Sequence, residues 1–414
     1  MGTLKKQIHP PIPYSRQAIE PQDIEAVCRV LESDFITQGP AIDAFEHAVA
    51  DYCGAKYAVA VSSGTAALHL AALAAGLKPG DEAITTPITF LATANCILYA
   101  GARPVFADID AATVNLDPEH FERSITKRTR AVLPVDFAGL PASMEKIRHI
   151  ADRHGLVVIE DASHALGGSY EEGRKGKVGS CRYSDMTIFS FHPVKHITTG
   201  EGGCVTTHNK KFYEKLKSLR SHGIDRNERL QKKKGGWYYE MEELGFNYRV
   251  TDFQCALGTS QLRKIDQLVA ARAALAKNYD RAFAPLSDDL ILPAQRIKDE
   301  RHAWHLYLLR LRHSRGGRER RRLYDFLRQN GVHAQVHYIP IYRQPFYRQL
   351  LSGRKIHCPH AERYYEQALS LPLYPGLGKD QQDRVIDLVK VFFGSRPVRS
   401  RAGEFKRRSV LSVS

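Results

Sequence analysis

The sequence predicts an α/β fold, in which a mostly parallel sheet is flanked by helices and a small α+β domain follows at the C-terminal end. Short β-rich runs alternate with helices of about 10–15 residues from Gln22 to Gly203, which is typical of a parallel sheet covered on both faces. The alternation stops beyond that point, and a chain of 414 residues is too long for one small core. We therefore expect two domains.

The alternating part can be followed element by element. Its helical patterns are QDIEAVCRVLES, AIDAFEHAVADYCG, GTAALHLAALAAG, LATANCILYAG, DPEHFERSI and ASMEKIRHIADRHG. Its strands are YAVAVSS, DEAITTP, RPVFADI, RAVLPVD and LVVIEDA. Only a short turn then separates the strands DMTIFSF and EGGCVTT, and these are followed by the helix KKFYEKLKSLRSHG.

The C-terminal part departs from this alternation. We expect a polar loop over roughly residues 224–243 and then one long helical stretch from about Thr251 to Ala284. A small α+β domain is completed by strand WHLYLLRL, helix RRLYDFLRQNG, strand HAQVHY and further helices. The predicted units are an N-terminal arm (1–20), a large α/β domain (21–265), a small domain (266–395) and a basic, disordered tail (396–414).

The composition indicates an ordinary globular protein of the cytoplasm. Hydrophobic residues make up 43% and charged residues 25%, and no apolar run approaches the ~20 residues of a membrane span. The first residues show neither a secretory signal nor a lipidation motif. Seven scattered cysteines without a C-x-x-C pair indicate reduced thiols rather than disulfides or a zinc site, so we expect no metal.

The net charge of +15 is compatible with nucleic-acid binding, but its distribution argues against it. Basic residues concentrate in QKKKGG, RHSRGGRERRRLYDFLR and SRPVRSRAGEFKRRSVLSVS, without zinc-finger spacing or an aromatic RNA-binding motif. Solvated loops and helix faces account for these charges, and attraction of an anionic small substrate is a further role. We expect neither a nucleic-acid partner nor a membrane partner.

One turn of the predicted sheet is suited to a phosphate group. The strand that ends in VSSGT passes directly into a helix, whose first N–H groups are unpaired at the positive end of its dipole. Gly64 allows a ligand to approach the backbone and Thr65 adds a hydroxyl, although Ser and Thr are also ordinary helix caps. The turn has neither the lysine of a Walker loop nor a G-x-G-x-x-G pattern, which disfavours an NAD-dependent oxidoreductase.

Three further residues follow other strands of the same sheet. Asp161 lies where parallel sheets bind ligands, and capping of the next segment is its alternative role. Phe90 offers a ring face to a flat heterocycle, unless it belongs to the core. Lys195 would be a surface cation if taken alone. Between an apolar strand and the glycines of TTGEGG, however, a lysine can lose its proton and act as a nucleophile.

These groups together match one ligand, pyridoxal 5′-phosphate (PLP). It requires a phosphate cradle, a platform for a flat ring, an acid and an amine, and these are supplied by Gly64, Thr65, Phe90, Asp161 and Lys195. The amine forms a Schiff base, and the acid keeps the pyridine nitrogen protonated so that the ring acts as an electron sink. The sequence therefore predicts PLP as cofactor.

The chain also resembles the DegT/StrS sugar-nucleotide aminotransferases, which are fold-type I PLP-dependent transferases. The matching segments are LESDFITQGP, VSSGTAAL, TPITFLATAN, VIEDASHALGG, FSFHPVKHITTGEGG, RSHGI, LGFNYRVTDFQCALGTSQL, QVHYIPIY and ALSLPLYPGL. They extend from about Pro13 to Gly394, nearly the whole chain. Their joint occurrence is highly specific.

The resemblance implies cofactor roles by position. Lys195 becomes the Schiff-base lysine and proton shuttle, Asp161 pairs with the pyridinium nitrogen, and Phe90 stacks on the ring. His164 is implied to lie near the ring hydroxyl. The residues implied to hold the phosphate are Gly64, Thr65, Ser190 and, from the neighbouring subunit, Asn247.

The same resemblance implies partners and a reaction. Family members are homodimers with shared active sites, and substrate contacts are implied for Tyr14, Thr37, His337 and Tyr338. The segments FSFHPVKHITTGEGG and VHYIPIYRQPFY are most similar to members acting in pseudaminic acid biosynthesis. We therefore expect amino transfer from an amino acid, L-glutamate by resemblance, to the C4 ketone of a UDP-linked 2-acetamido-2,6-dideoxy-hexos-4-ulose.

Other functions were weighed against this one. Another nucleotide-linked keto sugar, of the perosamine or bacillosamine type, is the alternative substrate. The lysine at position 195 argues against the family's dehydratases, which carry histidine there. A non-catalytic regulator is disfavoured because a binding protein has no need for a matched lysine, acid and phosphate cradle.

Overall fold

A seven-stranded sheet forms the centre of the large domain in the computed structural model, which describes residues 10–170, 176–225, 228–294 and 301–394. The strands are β1 (Tyr57–Val61), β2 (Glu82–Thr85), β3 (Arg103–Phe106), β4 (Thr129–Leu133), β5 (Val157–Asp161), β6 (Met186–Ser190) and β7 (Gly203–Thr207). Their spatial order is β1-β7-β6-β5-β4-β2-β3. Strand β7 runs antiparallel to both neighbours and every other pair is parallel, so the predicted mostly parallel sheet is confirmed.

Helices cover both faces of this sheet. They are α1 (Pro21–Leu31), α2 (Pro40–Cys53), α3 (Gly64–Ala74), α4 (Leu91–Tyr99), α5 (Pro118–Arg123), α6 (Met144–His154), α7 (Lys210–Arg220), α8 (Glu228–Lys234) and α9 (Asp252–Leu262). Alternate residues of β1 pack on opposite sides, as the two-residue period of a strand requires. Val59 and Val61 contact the core of α3, α4 and α7, whereas Ala58 and Ala60 contact that of α2 and α9.

The small domain is built on a three-stranded antiparallel sheet with its own core. Its strands are β10 (Leu290–Ile291), β11 (Tyr307–Leu311) and β12 (Ala368–Leu371), and its helices are α10 (Ile265–Phe283), α11 (Arg318–Gln329), α12 (Pro345–Leu350), α13 (Pro359–Gln367) and α14 (Lys379–Gly394). Helix α10 joins the two parts, because Ile265 and Val269 pack in the large-domain core and Ala276 and Phe283 in the small one.

The long helical stretch expected from about Thr251 to Ala284 is helical as predicted, but it is divided into two helices, α9 and α10. They are separated at Arg263 and Lys264, where the backbone of Lys264 leaves the helical region. The Lys264 ammonium lies 2.8 Å from the buried Asp23 carboxylate and 2.9 Å from Glu20, both at the start of α1. A buried carboxylate needs such a partner, so the break in the helix serves a long-range ion pair.

Two other expectations need correction. The strand expected for HAQVHY is reduced to a single bridge between Gln335 and Ser370, and two residues farther on the His337 side chain contacts the Ser370 hydroxyl (2.8 Å). The expected loop over 224–243 contains helix α8 and a short hairpin of β8 (Ile224–Asp225) and β9 (Glu240–Met241). The predicted tail and the first nine residues of the arm lie outside the described residues.

Three other findings concern the cysteines, membrane spans and metal binding. All seven cysteines are free thiols, and only Cys28 is exposed. In the described ranges, no helix combines the length and the apolar character that crossing a membrane requires. The same part of the chain holds no group of His, Cys, Asp and Glu side chains that could bind a metal ion.

Candidate active site

One cavity of about 310 Å³ opens at the carboxyl ends of the parallel strands. The cavity is lined by residues that follow β1, β2, β4 and β6 and by the last residue of β5. This is the edge of the sheet where parallel sheets bind ligands. The structure brings together here most of the residues expected from the sequence, namely Tyr14, Gly64, Thr65, Phe90, Asp161, His164, Ser190, Lys195, His337 and Tyr338.

Asp161 is held on the cavity wall by two donors. The Thr93 hydroxyl donates to Oδ2 at 2.6 Å, and the Ser163 N–H makes a longer contact with Oδ1 at 3.2 Å. The carboxylate is 4% exposed, and a buried acid needs such partners. The preceding residue, Glu160, points to the opposite face and bonds to Ser184 (3.0 Å) and Thr187 (2.8 Å), so only Asp161 of the two faces the cavity.

Lys195 lies in the turn between β6 and β7 and lines the same cavity. Burial is the largest cause that lowers the pKa of its ammonium; with the opposing attraction of Asp161 and the smaller lowering effect of the buried Arg272 guanidinium, the pKa is about 8. The turn is fixed by its backbone, because the Lys195 N–H donates to the His192 carbonyl at 2.9 Å. A lysine amine with a depressed pKa can act as a nucleophile near neutral pH.

His164 lies beneath the cavity in a group of aromatic rings. Its Nε2 is 3.5 Å from the Tyr338 hydroxyl, and its ring centroid is 4.2 Å from that of His305. Burial lowers the pKa of His164 well below its ordinary value, and the positive charge of Lys195 acts in the same direction. The imidazole is therefore neutral, and its buried Nδ1 has no hydrogen-bond partner among the described residues.

The β1–α3 turn forms a close-packed cradle. Ser63 caps α3, since its hydroxyl accepts from the Ala66 N–H at 3.1 Å. A Cβ added at Gly64 would lie 2.8 Å from the Cβ of Ser190, and one added at Gly203 would lie 2.4 Å from the Ser63 carbonyl oxygen. Glycine at both positions thus allows the start of α3 to approach β6 and β7, and leaves its N–H groups facing the cavity.

Phe90 and the small-domain residues form the remaining walls. Phe90 is the residue before α4 and is 56% exposed, so it is not a core residue. Its ring centroid lies 6.2 Å from that of Tyr338. On the other side, the Tyr14 ring is 5.6 Å from the His337 ring. The pKa of His337 is lowered to about 4, first by burial and then by Lys195.

Two expected residues lie outside the cavity of a single chain. Thr37 is exposed and forms a backbone bridge with Thr251, and Asn247 is exposed and forms one with Ser221. Neither lines the cavity. Both positions were expected from resemblance alone, and Asn247 was expected to reach the neighbouring subunit.

The sequence reasoning missed several residues of the site. Thr93 binds Asp161 directly, and Ser63, Glu201 and His192 also line the cavity. The sequence contained one indication of a partnered hydroxyl, because Thr89 and Thr93 stand four positions apart, just before and inside a mostly apolar helix, but nothing in it identified Asp161 as the partner. Threonine is unfavourable in an apolar helix unless its hydroxyl has a partner.

The residues present fit PLP. The volume falls in the range of about 300–1,000 Å³ typical of small-molecule sites. Asp161 Oδ1 keeps acceptor capacity toward the cavity, because its one described contact is the long one to Ser163. The first N–H groups of α3 could hold a phosphate, and the Lys195 amine could serve as the attachment point.

Comparisons with known proteins agree with this fit. The model of the DegT/DnrJ/EryC1/StrS aminotransferase family matches residues 17–390. The spore coat polysaccharide biosynthesis protein SpsC of Bacillus subtilis is 41% identical over 381 residues, covering 92% of this chain and 96% of SpsC.

Two solved structures are similar over nearly the whole chain. One is PseC of Helicobacter pylori, an aminotransferase of pseudaminic acid biosynthesis, with 34% identity and a TM-score of 0.85 over 93% of this chain and 100% of PseC. The other is Spr1654 of Streptococcus pneumoniae, a candidate sugar aminotransferase solved with PLP, with 28% identity and a TM-score of 0.85 over 92% of this chain and 98% of Spr1654. From the sequence match and the fold together, the chain belongs to the DegT/DnrJ/EryC1/StrS family and is a PLP-dependent sugar aminotransferase.

Proposed function

We propose that the enzyme moves an amino group from L-glutamate to the C4 ketone of a UDP-linked 2-acetamido-2,6-dideoxy-hexos-4-ulose, as a step of pseudaminic acid biosynthesis. The observation that carries the proposal is the presence of the Lys195 amine and the Asp161 carboxylate in one cavity, with the pKa of the amine lowered to about 8. The similarity to PseC, over the whole of that protein, supports the choice of pathway.

Different residues are assigned to different parts of the cofactor. When bound, PLP supplies an aldehyde that condenses with amines and a ring that withdraws electrons from the substrate carbon. We assign Asp161 to the pyridine nitrogen, because a carboxylate favours the protonated form of that ring. Phe90 covers one ring face. The phosphate is assigned to the start of α3, with Gly64, Thr65 and the Ser190 hydroxyl.

Lys195 has the covalent and proton-moving role in this proposal. With a pKa of about 8, an appreciable fraction of the amine is neutral near pH 7 and able to attack. Once released from its covalent bond, the same amine can carry a proton to and from the substrate carbon. We assign His164 to the ring hydroxyl, where its neutral imidazole can accept a hydrogen bond.

The sugar is assigned to the side of the cavity formed by the arm and the small domain. Tyr14, His337 and Tyr338 line that side, and the Tyr338 ring faces Phe90. His337 is neutral, since its pKa is lowered to about 4, and its Nδ1 is engaged by Ser370 (2.8 Å). A neutral imidazole and two phenols suit the hydroxyl and amide groups of an N-acetylated sugar.

A second subunit is proposed to complete the site. Asn247 and Thr37 face solvent in a single chain, and large apolar side chains are exposed next to each of them. Leu244 is 78% exposed beside Asn247, and Phe35 and Ile36 are at least half exposed beside Thr37. Such apolar surface is typical of a protein interface. We therefore propose a homodimer in which Asn247 serves the partner's phosphate site, in an enzyme of the cytoplasm.

A different keto sugar is the second candidate substrate. SpsC, a spore coat polysaccharide biosynthesis protein, is 41% identical to this chain, whereas PseC is 34% identical. The same cofactor residues would serve a perosamine-type or bacillosamine-type substrate, because only the contacts to the sugar and nucleotide would differ.

The product decides between these substrates. The purified enzyme is incubated with L-glutamate and a panel of UDP-, GDP- and dTDP-linked 4-keto sugars, including the product of a UDP-N-acetylglucosamine dehydratase, and the products are analysed by NMR. We expect a C4 amine on the UDP-linked sugar. Conversion of a GDP- or dTDP-linked sugar alone, or a UDP-linked C4 amine with the configuration of a bacillosamine-type sugar, would select the alternative. Steady-state transamination by Lys195→Ala, the matched control, would overturn the mechanism itself.

A further inference from the structure

Two threonines connect helix α4 to the Asp161 carboxylate. The Thr93 hydroxyl lies 2.6 Å from Asp161 Oδ2, and the Thr89 hydroxyl lies 2.8 Å from that of Thr93. Thr93 is fully buried, and Thr89 is nearly so. The contacts therefore form a chain of three side chains that is closed off from bulk water on the side away from the cavity.

The direction of the hydrogen bonds follows from the proton count. Each hydroxyl carries one proton, and an ionised carboxylate can only accept. The Thr93 hydroxyl therefore donates to Asp161, and in the hydrogen bond between the two threonines the Thr89 hydroxyl is the donor. Both bonds point toward Asp161, and consecutive hydrogen bonds of this kind reinforce each other.

The same helical turn also carries the ring platform. Phe90 precedes α4, and the Thr93 N–H lies 3.3 Å from the Phe90 carbonyl oxygen in the first turn of the helix. Phe90 faces the cavity while Thr93 faces Asp161. One rigid turn thus fixes the distance between the platform and the acid.

We propose that Thr93 is a positioning residue for the cofactor. Its hydroxyl, ordered by Thr89, holds Oδ2 of the charged Asp161 and so leaves Oδ1 for the pyridine nitrogen. This inference rests on the proposed role of Asp161 in the site.

The test compares two substitutions at one position. Thr93→Val keeps the shape but removes the hydroxyl, whereas Thr93→Ser keeps the hydroxyl. We expect Thr93→Val to weaken PLP binding, measured by fluorescence titration of the full-length protein, about tenfold, because it leaves a buried carboxylate oxygen without its donor. Thr93→Ser should restore the affinity to within about threefold. In Thr93→Val, kcat should fall while KM for both substrates stays within about twofold.

A double-mutant cycle separates positioning from packing. In an Asp161→Asn background, Thr93→Val should change PLP affinity less than about twofold, because the two residues act through one contact. An equal loss in both backgrounds would contradict the proposal and indicate a packing role. If Thr93→Val does not fold, Thr89→Val is used in the same cycle, with an expected loss of about threefold in the presence of Asp161 only. If Asp161→Asn weakens PLP binding but neither threonine variant does, this inference is overturned. The proposed function would remain intact.

Discussion

At the scale of single residues, the chemistry depends on the protonation state of Lys195. Its pKa is lowered by burial, raised by Asp161 and lowered again by Arg272. The Arg272 guanidinium is itself buried, and it donates to the carbonyl oxygens of Leu373 (2.8 Å) and His305 (3.3 Å). Its charge is therefore fixed in place rather than screened by water, and it disfavours a proton on the lysine.

The pH dependence of PLP uptake tests whether the pKa of Lys195 is lowered. The attacking species is the neutral amine, so the rate at which cofactor-free protein takes up PLP should rise as the pH passes through about 8 and level off above it. An ordinary lysine would reach that plateau only above about pH 10. Stopped-flow absorbance over this range measures the rate. A rate still rising steeply above about pH 9.5 would show that the lysine amine is not depressed.

The residues that line the site could be predicted from the sequence more readily than the residues that hold them in place. Lys195, Asp161, Phe90 and Gly64 follow strands of one sheet, and the geometry of a parallel sheet brings the ends of such strands together. Thr93 was missed because its partner is 68 positions away, on another strand, and a buried hydroxyl has no local sequence signature that points to an acid.

At the scale of elements, the junction of α3 with β6 determines the phosphate cradle. Gly64→Ala should lower the melting temperature and weaken PLP binding, because the new Cβ would lie 2.8 Å from the Ser190 Cβ and force the two elements apart. Overpacking of this kind costs about 1–3 kcal/mol. Thermal unfolding and PLP titration measure the two effects.

A matched control is available for this substitution. Gly236→Ala adds the same methyl group where no atom lies within 4 Å, so it should change neither quantity. Equal effects of the two substitutions would contradict the close approach of α3 to β6.

The helices and strands could be predicted where the local hydrophobic pattern of the sequence agrees with the burial of the residues. All seven strands of the large sheet were expected, because each is a short apolar run between turns. The break between α9 and α10 was not, since it depends on the ion pair of Lys264 with Asp23, 241 positions away. The segment HAQVHY has β-forming residues, but in the described structure it forms a single bridge, between Gln335 and Ser370, which its local pattern did not predict.

At the scale of the whole molecule, the proposed function requires two chains for each complete site. If Asn247 serves the partner's phosphate, Asn247→Ala and Lys195→Ala damage different halves of the same site. Mixed dimers of these two variants then contain one intact site. After unfolding and refolding together, an equal mixture should recover about a quarter of the wild-type activity at limiting PLP.

Each variant refolded alone is the control for this experiment. An activity of the mixture no greater than the mean of the two separate variants would contradict the shared site. The partner's contribution could not be derived from sequence periodicity, because Asn247 forms a backbone bridge with Ser221 of its own chain and its expected role came from family resemblance.

The central claim is that Lys195 holds the cofactor. The most direct measurement is reduction of the PLP-loaded enzyme with borohydride, followed by proteolysis and mass spectrometry of the peptides. We expect the phosphopyridoxyl adduct on Lys195, since its amine lies in the cavity with a pKa of about 8. An adduct confined to any other lysine, or none on an enzyme that has bound PLP and is active, would contradict the account.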